Sequence, residues 1–236
     1  MIVQEAIILA GGLGTRLKDV VSDVPKVMAP VNGRPFLEYI LDYLEDHILD
    51  HVILSVGYKH EIIREHFGNQ YKSIKIDYAI EDEPLGTGGG IKKAFNFVKG
   101  YKALVFNGDT MFRINLQKSF EFHSSKSSEF SIILREVNNV ERYGAVELDK
   151  NHRVISFDEK GQKFGNGKIN GGVYLINKSF FKNNPFPDKF SLEKDCFEKM
   201  VHSYPFYAMA CKQYFLDIGI PEDYKKAQDD FKEFEH

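Results

Sequence analysis

The sequence predicts an α/β fold built on a mostly parallel central sheet, with helices on both faces and antiparallel strands added in its second half. Three observations predict it. Through residue 126, short β-branched runs alternate with stretches of helical periodicity, the pattern of strand–helix units that pack helices on both faces of a parallel sheet. Beyond that point strand signals follow one another with little helix between them. The length of 236 residues, 43% hydrophobic and 28% charged, suits one domain spanning 1–236 with a sizeable core.

Taken in order, residues 5–9 form a short apolar run that reaches Gly11 and Gly12, and Phe36, Leu37, Ile40, Leu41 and Leu44 recur at helical spacing. Strand 51–56, helix 61–67, strand 74–80, helix 90–98 and strand 102–106 continue the alternation, and helix 119–126 closes it. Strands are then expected at 130–134, 144–148, 154–157, 171–176, 206–210 and 214–217. Pro221, with Glu222 and Asp223 behind it, opens a last helix running to about 234. In an open sheet of this kind ligands bind beyond the carboxyl ends of the strands, so loops that directly follow strands are where chemistry is expected.

Composition removes several function classes. A net charge of −3 with both signs interspersed gives no basic field for nucleic acid. The apolar runs are too short to span a bilayer, and residues 1–5 carry no secretion-type segment. The expectation is a soluble, cytoplasmic protein without a membrane partner. Cys196 and Cys211 have neither metal-site spacing nor the density of a disulfide framework and read as packing residues. The 20 Phe and 12 Tyr are spread along the chain as core residues. Oligomeric state is not encoded legibly, and a homo-oligomer is compatible with the sequence.

The loop Leu9-Ala10-Gly11-Gly12-Leu13-Gly14-Thr15-Arg16 follows the first strand. Its glycines let backbone N–H groups approach an anion, and Arg16 adds a guanidinium able to bind phosphate oxygens in bidentate fashion. It is neither of two better-known loops: no Gly-Lys-Ser or Gly-Lys-Thr closes it, and Leu17 stands where a dinucleotide fingerprint has its third glycine. Taken alone, the loop supports anion binding or a structural turn.

LAGGLGTRL followed by Val24-Pro25-Lys26 resembles the sugar nucleotidyltransferases, or nucleotide-sugar pyrophosphorylases, and the resemblance extends over nearly the whole chain. It implies a Rossmann-like, nucleotide-diphospho-sugar transferase-like fold. It also implies a nucleotide site made by Leu9, Ala10, Gly11, Gly12, Gly14 and Thr15, with Arg16 on the triphosphate and Lys26 near the α-phosphate. The segment Glu81-Asp82-Glu83-Pro84-Leu85-Gly86-Thr87 resembles the family's base-reading loop, which assigns Glu81, Pro84, Gly86 and Thr87 to the nucleotide. Glu81, acceptor-only when ionised, can take both the ring N–H and the exocyclic amine of guanine, and it faces uracil or thymine carbonyls unfavourably. GTP is therefore the favoured nucleotide.

Asn107-Gly108-Asp109 resembles the family's magnesium motif and Phe215-Leu216-Asp217 the segment that adds a second carboxylate, which makes Asp109 and Asp217 the expected ligands of Mg2+. Asp158-Glu159-Lys160 and Asn170-Gly171-Gly172-Val173-Tyr174 resemble the sugar-phosphate segments, implying roles there for Glu159, Lys160, Asn170 and Gly171, together with Asn107 and Gly144. Gly161 stands where the family has proline. The implied reaction joins a nucleoside triphosphate and a sugar 1-phosphate into a nucleotide sugar and pyrophosphate. Arg16, Lys26, Asp109 and Asp217 are its catalytic candidates. The compact length, the EDEPLGTGGG loop and the ending DIGIPEDY are most similar to heptose 1-phosphate guanylyltransferases. Mannose 1-phosphate guanylyltransferases come next, then enzymes using CTP or dTTP. A catalytically silent regulatory module is the alternative of another class, and retention of Arg16, Lys26, Asp109, Lys160 and Asp217 together argues against it.

Overall fold

The computed structural model describes residues 5–12, 17, 23–47, 49–158 and 162–234. β1 (Glu5–Leu9) leads, after a short 3₁₀ turn at Lys26–Met28, into a small ladder of β2 (Pro30–Val31) and β3 (Arg34–Pro35), then α1 (Phe36–Glu45) and β4 (His51–Val56). Next come α2 (His60–Phe67), β5 (Gln70–Tyr71), β6 (Ile74–Ile80), α3 (Gly86–Ala94), β7 (Lys102–Asn107), β8 (Thr110–Phe112) and α4 (Leu116–Ser125). The second half consists of β9 (Phe130–Val137), β10 (Val146–Leu148), β11 (Val154–Phe157), β12 (Gly167–Asn177), α5 (Lys178–Asn183) and a π-helical turn at Leu192–Phe197 that runs into α6 (Glu198–Met200). It ends with β13 (Tyr207–Cys211), β14 (Phe215–Asp217), α7 (Pro221–Asp230) and a 3₁₀ turn at Phe231–Phe234.

Among the described residues, eight strands form the central sheet in the order β13-β9-β12-β7-β1-β4-β6-β5. β7, β1, β4 and β6 run parallel, and β12 enters antiparallel between β7 and β9. The chain leaves β1 for β4 and β6 on one side and returns with β7 on the other. The carboxyl end of β1 is therefore the switch point where a crevice opens. Strand alternation divides the core between the two faces. Ala6 and Ile8 share a core with Phe36 and Ile40 of α1, Ala227 of α7 and Phe231 of the last 3₁₀ turn, whereas Ile7 shares one with Ile91, Phe130, Phe180 and Phe197 on the opposite face. Cys196 and Cys211 are buried free thiols, as expected of packing residues. No helix among the described residues is long and apolar enough to cross a membrane.

The expected strands at 5–9, 51–56, 74–80 and 154–157 match the structure residue for residue. The largest displacement is in α3, which begins at Gly86 rather than residue 90 and ends at Ala94. Glycine is a poor helix former, at about 1 kcal/mol below alanine per residue, and tertiary packing overrides that cost here. A Cβ on Gly88 would lie 2.1 Å from the Phe190 ring and one on Gly89 2.2 Å from the Asp188 carbonyl, so only bare backbone fits against that segment. α4 starts at Leu116, three residues earlier than expected, because the Asn115 side chain caps it by accepting the Lys118 N–H at 2.9 Å.

At the far end of the parallel strands, Glu5 is buried and accepts the N–H groups of Lys99 and Gly100 at 2.9 and 2.5 Å, while His51 Nδ1 lies 2.7 Å away. Burial alone would raise the Glu5 carboxyl, but these donors outweigh it and hold the group below its ordinary value of 4.5. A depressed carboxylate contributes stability above its unfolded value and loses it as pH falls through its folded value. Glu5→Gln is therefore expected to cost about 1–3 kcal/mol at pH 7 in denaturant unfolding. The gap from the parent should narrow as pH drops below 4.5; a gap independent of pH would contradict the assignment.

Candidate active site

Because β1, β4, β6 and β7 are parallel, their carboxyl ends share one edge of the sheet, where a cavity of about 290 Å3 opens. Leu9, Gly11 and Gly12 from the end of β1, Glu81 from that of β6, and Asn107 and Asp109 from that of β7 line it, joined by Lys26, Val27, Pro84, Gly86 and Thr87. The backbone beside it is partly committed to the fold: the Ala10 N–H donates to Ser55 O at 2.7 Å, and the Gly108 N–H to Leu9 O at 2.9 Å. Ala10 is buried, so of the expected loop residues it is Leu9, Gly11 and Gly12 that face the cavity. Gly14, Thr15 and Arg16 lie outside the described residues.

Glu81 is held at both oxygens. The Ser55 hydroxyl donates to Oε1 at 3.0 Å and the Leu85 N–H to Oε2 at 2.9 Å. A Cβ on Gly90 would sit 2.8 Å from both Glu81 Oε1 and Ser55 Oγ, so the α3 glycines also make room for this carboxylate. Each oxygen keeps lone-pair capacity for a further donor.

Asp109 and Asp217, remote in sequence, meet because β8 and β14 pair antiparallel with Thr110 opposite Asp217. The Ile218 N–H also donates to Asp109 O at 3.0 Å. Lys26, on the 3₁₀ turn anchored by buried Val27 and Met28, places its Nζ 2.6 Å from Asp109 Oδ2 and 3.8 Å from Asp217 Oδ1. The Gly219 N–H fixes Asp217 Oδ1 at 2.7 Å, and the Thr110 hydroxyl lies 3.2 Å from Asp109 Oδ1. Two hard carboxylates thus already address one cation, a donor set suited to magnesium. Among the described residues no group of three or more acidic, histidine or cysteine side chains is arranged around a metal position, so phosphate oxygens and water would supply the remaining ligands.

A second cavity of about 530 Å3, tied to the first by the hydrogen bond of Thr87 to Glu193, is lined by Tyr143, Gly144, Ala145, Val146, Phe157 and Asp158, and by Asn170, Ser191, Glu193, Lys194 and Glu198. Asn170 sits at a bulge in β12, where the register with β9 slips between Asn170 and Val173. Its Oδ1 accepts the Gly172 N–H at 3.1 Å and its Nδ2 donates to the Tyr174 hydroxyl at 2.8 Å. Burial, with the charges of Glu193 and Asp109 nearby, pushes the Tyr174 phenol well above its ordinary value against the Asn170 hydrogen bond. Gly172 adopts φ +70°, and a Cβ there would lie 2.6 Å from Asn107 Nδ2, so the glycine that Asn170 holds lets β12 pass close to Asn107. Gly171 lines neither cavity: a Cβ at this position would lie 2.4 Å from the Phe112 ring, so packing accounts for the residue. Glu159 and Lys160 lie outside the described residues.

Sequence reasoning did not single out Ser55, Ser191 or Glu193. For the last two the available signal was Ser191-Leu-Glu-Lys-Asp195, the pattern of a helix start, in which Ser191 Oγ accepts the Lys194 N–H at 3.2 Å and Asp195 Oδ2 accepts the Ser191 N–H at 2.9 Å.

Comparison with known proteins places this geometry in context. The chain is 50% identical to D-glycero-alpha-D-manno-heptose 1-phosphate guanylyltransferase of Aneurinibacillus thermoaerophilus, over 98% of this chain and 99% of the relative. It is 48% identical to the protein of the same name from Campylobacter jejuni, over 93% and 96%. The crystal structure of HddC from Yersinia pseudotuberculosis complexed with GMP-PN superimposes with a TM-score of 0.85 at 43% identity, covering 97% of this chain and 99% of that one. The nucleotidyl transferase family model matches residues 5–233, and the chain belongs to that family.

Proposed function

We propose that the protein transfers a guanylyl group from GTP to D-glycero-α-D-manno-heptose 1-phosphate, releasing pyrophosphate and forming GDP-heptose, with Mg2+ held by Asp109 and Asp217. The observation that carries the nucleotide is Glu81, a carboxylate fixed by Ser55 and Leu85 at the wall of the cavity that also contains Lys26 and Asp109. Support for the sugar comes from two relatives of that activity at 50% and 48% identity over nearly full length.

In this reading the first cavity takes the nucleotide and the second the sugar 1-phosphate. A phosphate oxygen of the sugar phosphate attacks the α-phosphorus in line. A new P–O bond forms, the bond to the β-phosphate oxygen breaks, and pyrophosphate leaves with the electron pair. A phosphate monoester is a competent nucleophile, so the protein supplies position and charge rather than a strong base. Lys26, its side chain only 10% exposed, presents its ammonium where water screens it little. Mg2+, when bound, supplies further positive charge to the phosphate oxygens. Arg16 and Lys160 are assigned to the triphosphate and the sugar phosphate by their places in the sequence motifs. The reaction is placed in the cytoplasm, its product feeding surface polysaccharide synthesis.

The test is release of pyrophosphate with Mg2+, each of the four triphosphates and a panel of sugar 1-phosphates that includes mannose. GTP with the heptose 1-phosphate is expected to turn over fastest, and rapid turnover with CTP or dTTP and none with GTP would refute the guanine assignment. Glu81→Gln replaces one acceptor with a donor and should lower kcat/KM for GTP about ten- to hundredfold while narrowing discrimination against UTP. Lys26→Ala and Asp109→Ala are each expected to lower turnover by about 100-fold or more, with the far-UV circular dichroism of the parent. Near-normal rates in either variant would sink their assignment.

A further inference from the structure

Thr87 sits in the loop that the sequence assigns to the nucleotide, and it lines the first cavity. Its hydroxyl, however, is turned toward the second. Thr87 Oγ1 donates to Glu193 Oε2 at 2.8 Å and accepts the Leu192 N–H at 2.9 Å. A threonine has one O–H to give, so this side chain has no donor left for a nucleobase. The Ser191 hydroxyl donates to the same Glu193 oxygen at 3.0 Å. Among the described residues Glu193 Oε1 has no hydrogen-bond partner, although Glu193 lines the second cavity. The π-helical turn Leu192–Phe197 fixes the backbone here: Leu192, Cys196 and Phe197 are fully buried, and Phe197 stacks on Phe157 at 4.8 Å between ring centroids. π-helical turns are rare and often occur at functional sites.

We propose that Thr87 is a positioning residue for the sugar phosphate: its hydroxyl pins one oxygen of Glu193, and the other oxygen accepts a sugar hydroxyl in the second cavity. The base-side loop thereby sets the geometry of the sugar side, and Glu193 is a specificity residue that reads hydroxyls. A carboxylate held by two hydroxyl donors has little rotational freedom left, so less entropy is lost when it accepts a third. Valine at position 87 matches threonine in shape while removing both the donor to Glu193 and the acceptor for Leu192, so it isolates the hydroxyl.

The inference rests on the reaction proposed above. Its test is steady-state kinetics of Thr87→Val, Thr87→Ser and Glu193→Ala, varying GTP and the sugar 1-phosphate separately. Thr87→Val is expected to raise KM for the sugar 1-phosphate about tenfold while KM for GTP moves by less than about twofold. Thr87→Ser, which keeps the hydroxyl, should stay within about threefold of wild type, and Glu193→Ala should raise KM for the sugar 1-phosphate about ten- to hundredfold. If Thr87→Val does not fold, Glu193→Ala alone decides. A rise confined to KM for GTP in Thr87→Val, or an unchanged KM for the sugar 1-phosphate in Glu193→Ala, overturns the inference. A wild-type protein that makes no nucleotide sugar from any pair overturns the reaction itself, so the two failures are distinct.

Discussion

One short ladder folds the end of the chain back onto its middle, and the charges at its tip determine the rest of the site. Opposing Thr110 with Asp217 puts two carboxylates at the carboxyl edge of the parallel strands, where like charges in a half-buried crevice repel. The Lys26 ammonium, within 4 Å of both, offsets that repulsion. Neither acid would hold this place without it at low cost, since removing one partner from a partly desolvated pair leaves the other uncompensated. The turn bearing Lys26 is anchored in turn by Val27 and Met28 in the core beneath. Packing, ladder and ion pair therefore depend on one another.

A second constraint is room. The segment from Glu81 to Gly90 must place a carboxylate under a helix while Phe190 presses on that helix from outside. Glycine is required for both. Gly90 clears Glu81 and Ser55 on the inner side, and Gly88 and Gly89 clear Phe190 and Asp188 on the outer one. Their N–H groups return the contact by donating to the Phe190 carbonyl at 3.1 and 3.3 Å. The loop after Asp188 is thus docked onto α3 through backbone, which carries Ser191 and Glu193 toward the second cavity.

These two constraints explain what could be read from the chain. Strands such as Glu5–Leu9 and His51–Val56 were legible because a buried parallel strand is a continuous apolar run bounded by polar or turn residues. Asp109 and Asp217 could be placed at one sheet edge, and a strand was expected at 214–217, but the ladder that joins them could not be read, since its other half, Thr110–Phe112, is three residues long and carries no periodicity of its own. The helical start at Gly86 was illegible for the opposite reason: local propensity favours a turn, and only the contact with Phe190, about a hundred residues away, reverses it. Gly171 resembled a ligand contact in its motif, yet its bare α-carbon answers to the Phe112 ring. Motif position identifies that a glycine is required, and only the fold says which neighbour requires it.

The division of the chain into a parallel and an antiparallel part corresponds to the division of the site. Every residue lining the first cavity precedes position 110, and every residue lining the second follows position 142. β12 belongs to both parts, pairing with β7 on one side and β9 on the other. An unbroken strand at that seam would present a flat ladder. The bulge at Asn170 instead turns Gly172 against Asn107 and leaves Asn170 in the second cavity. The Thr87–Glu193 hydrogen bond of 2.8 Å links a residue lining one cavity to a residue lining the other, and such a link suits transfer between two bound molecules: the cavities must be separate enough to hold two substrates and close enough for an oxygen of one to reach the phosphorus of the other.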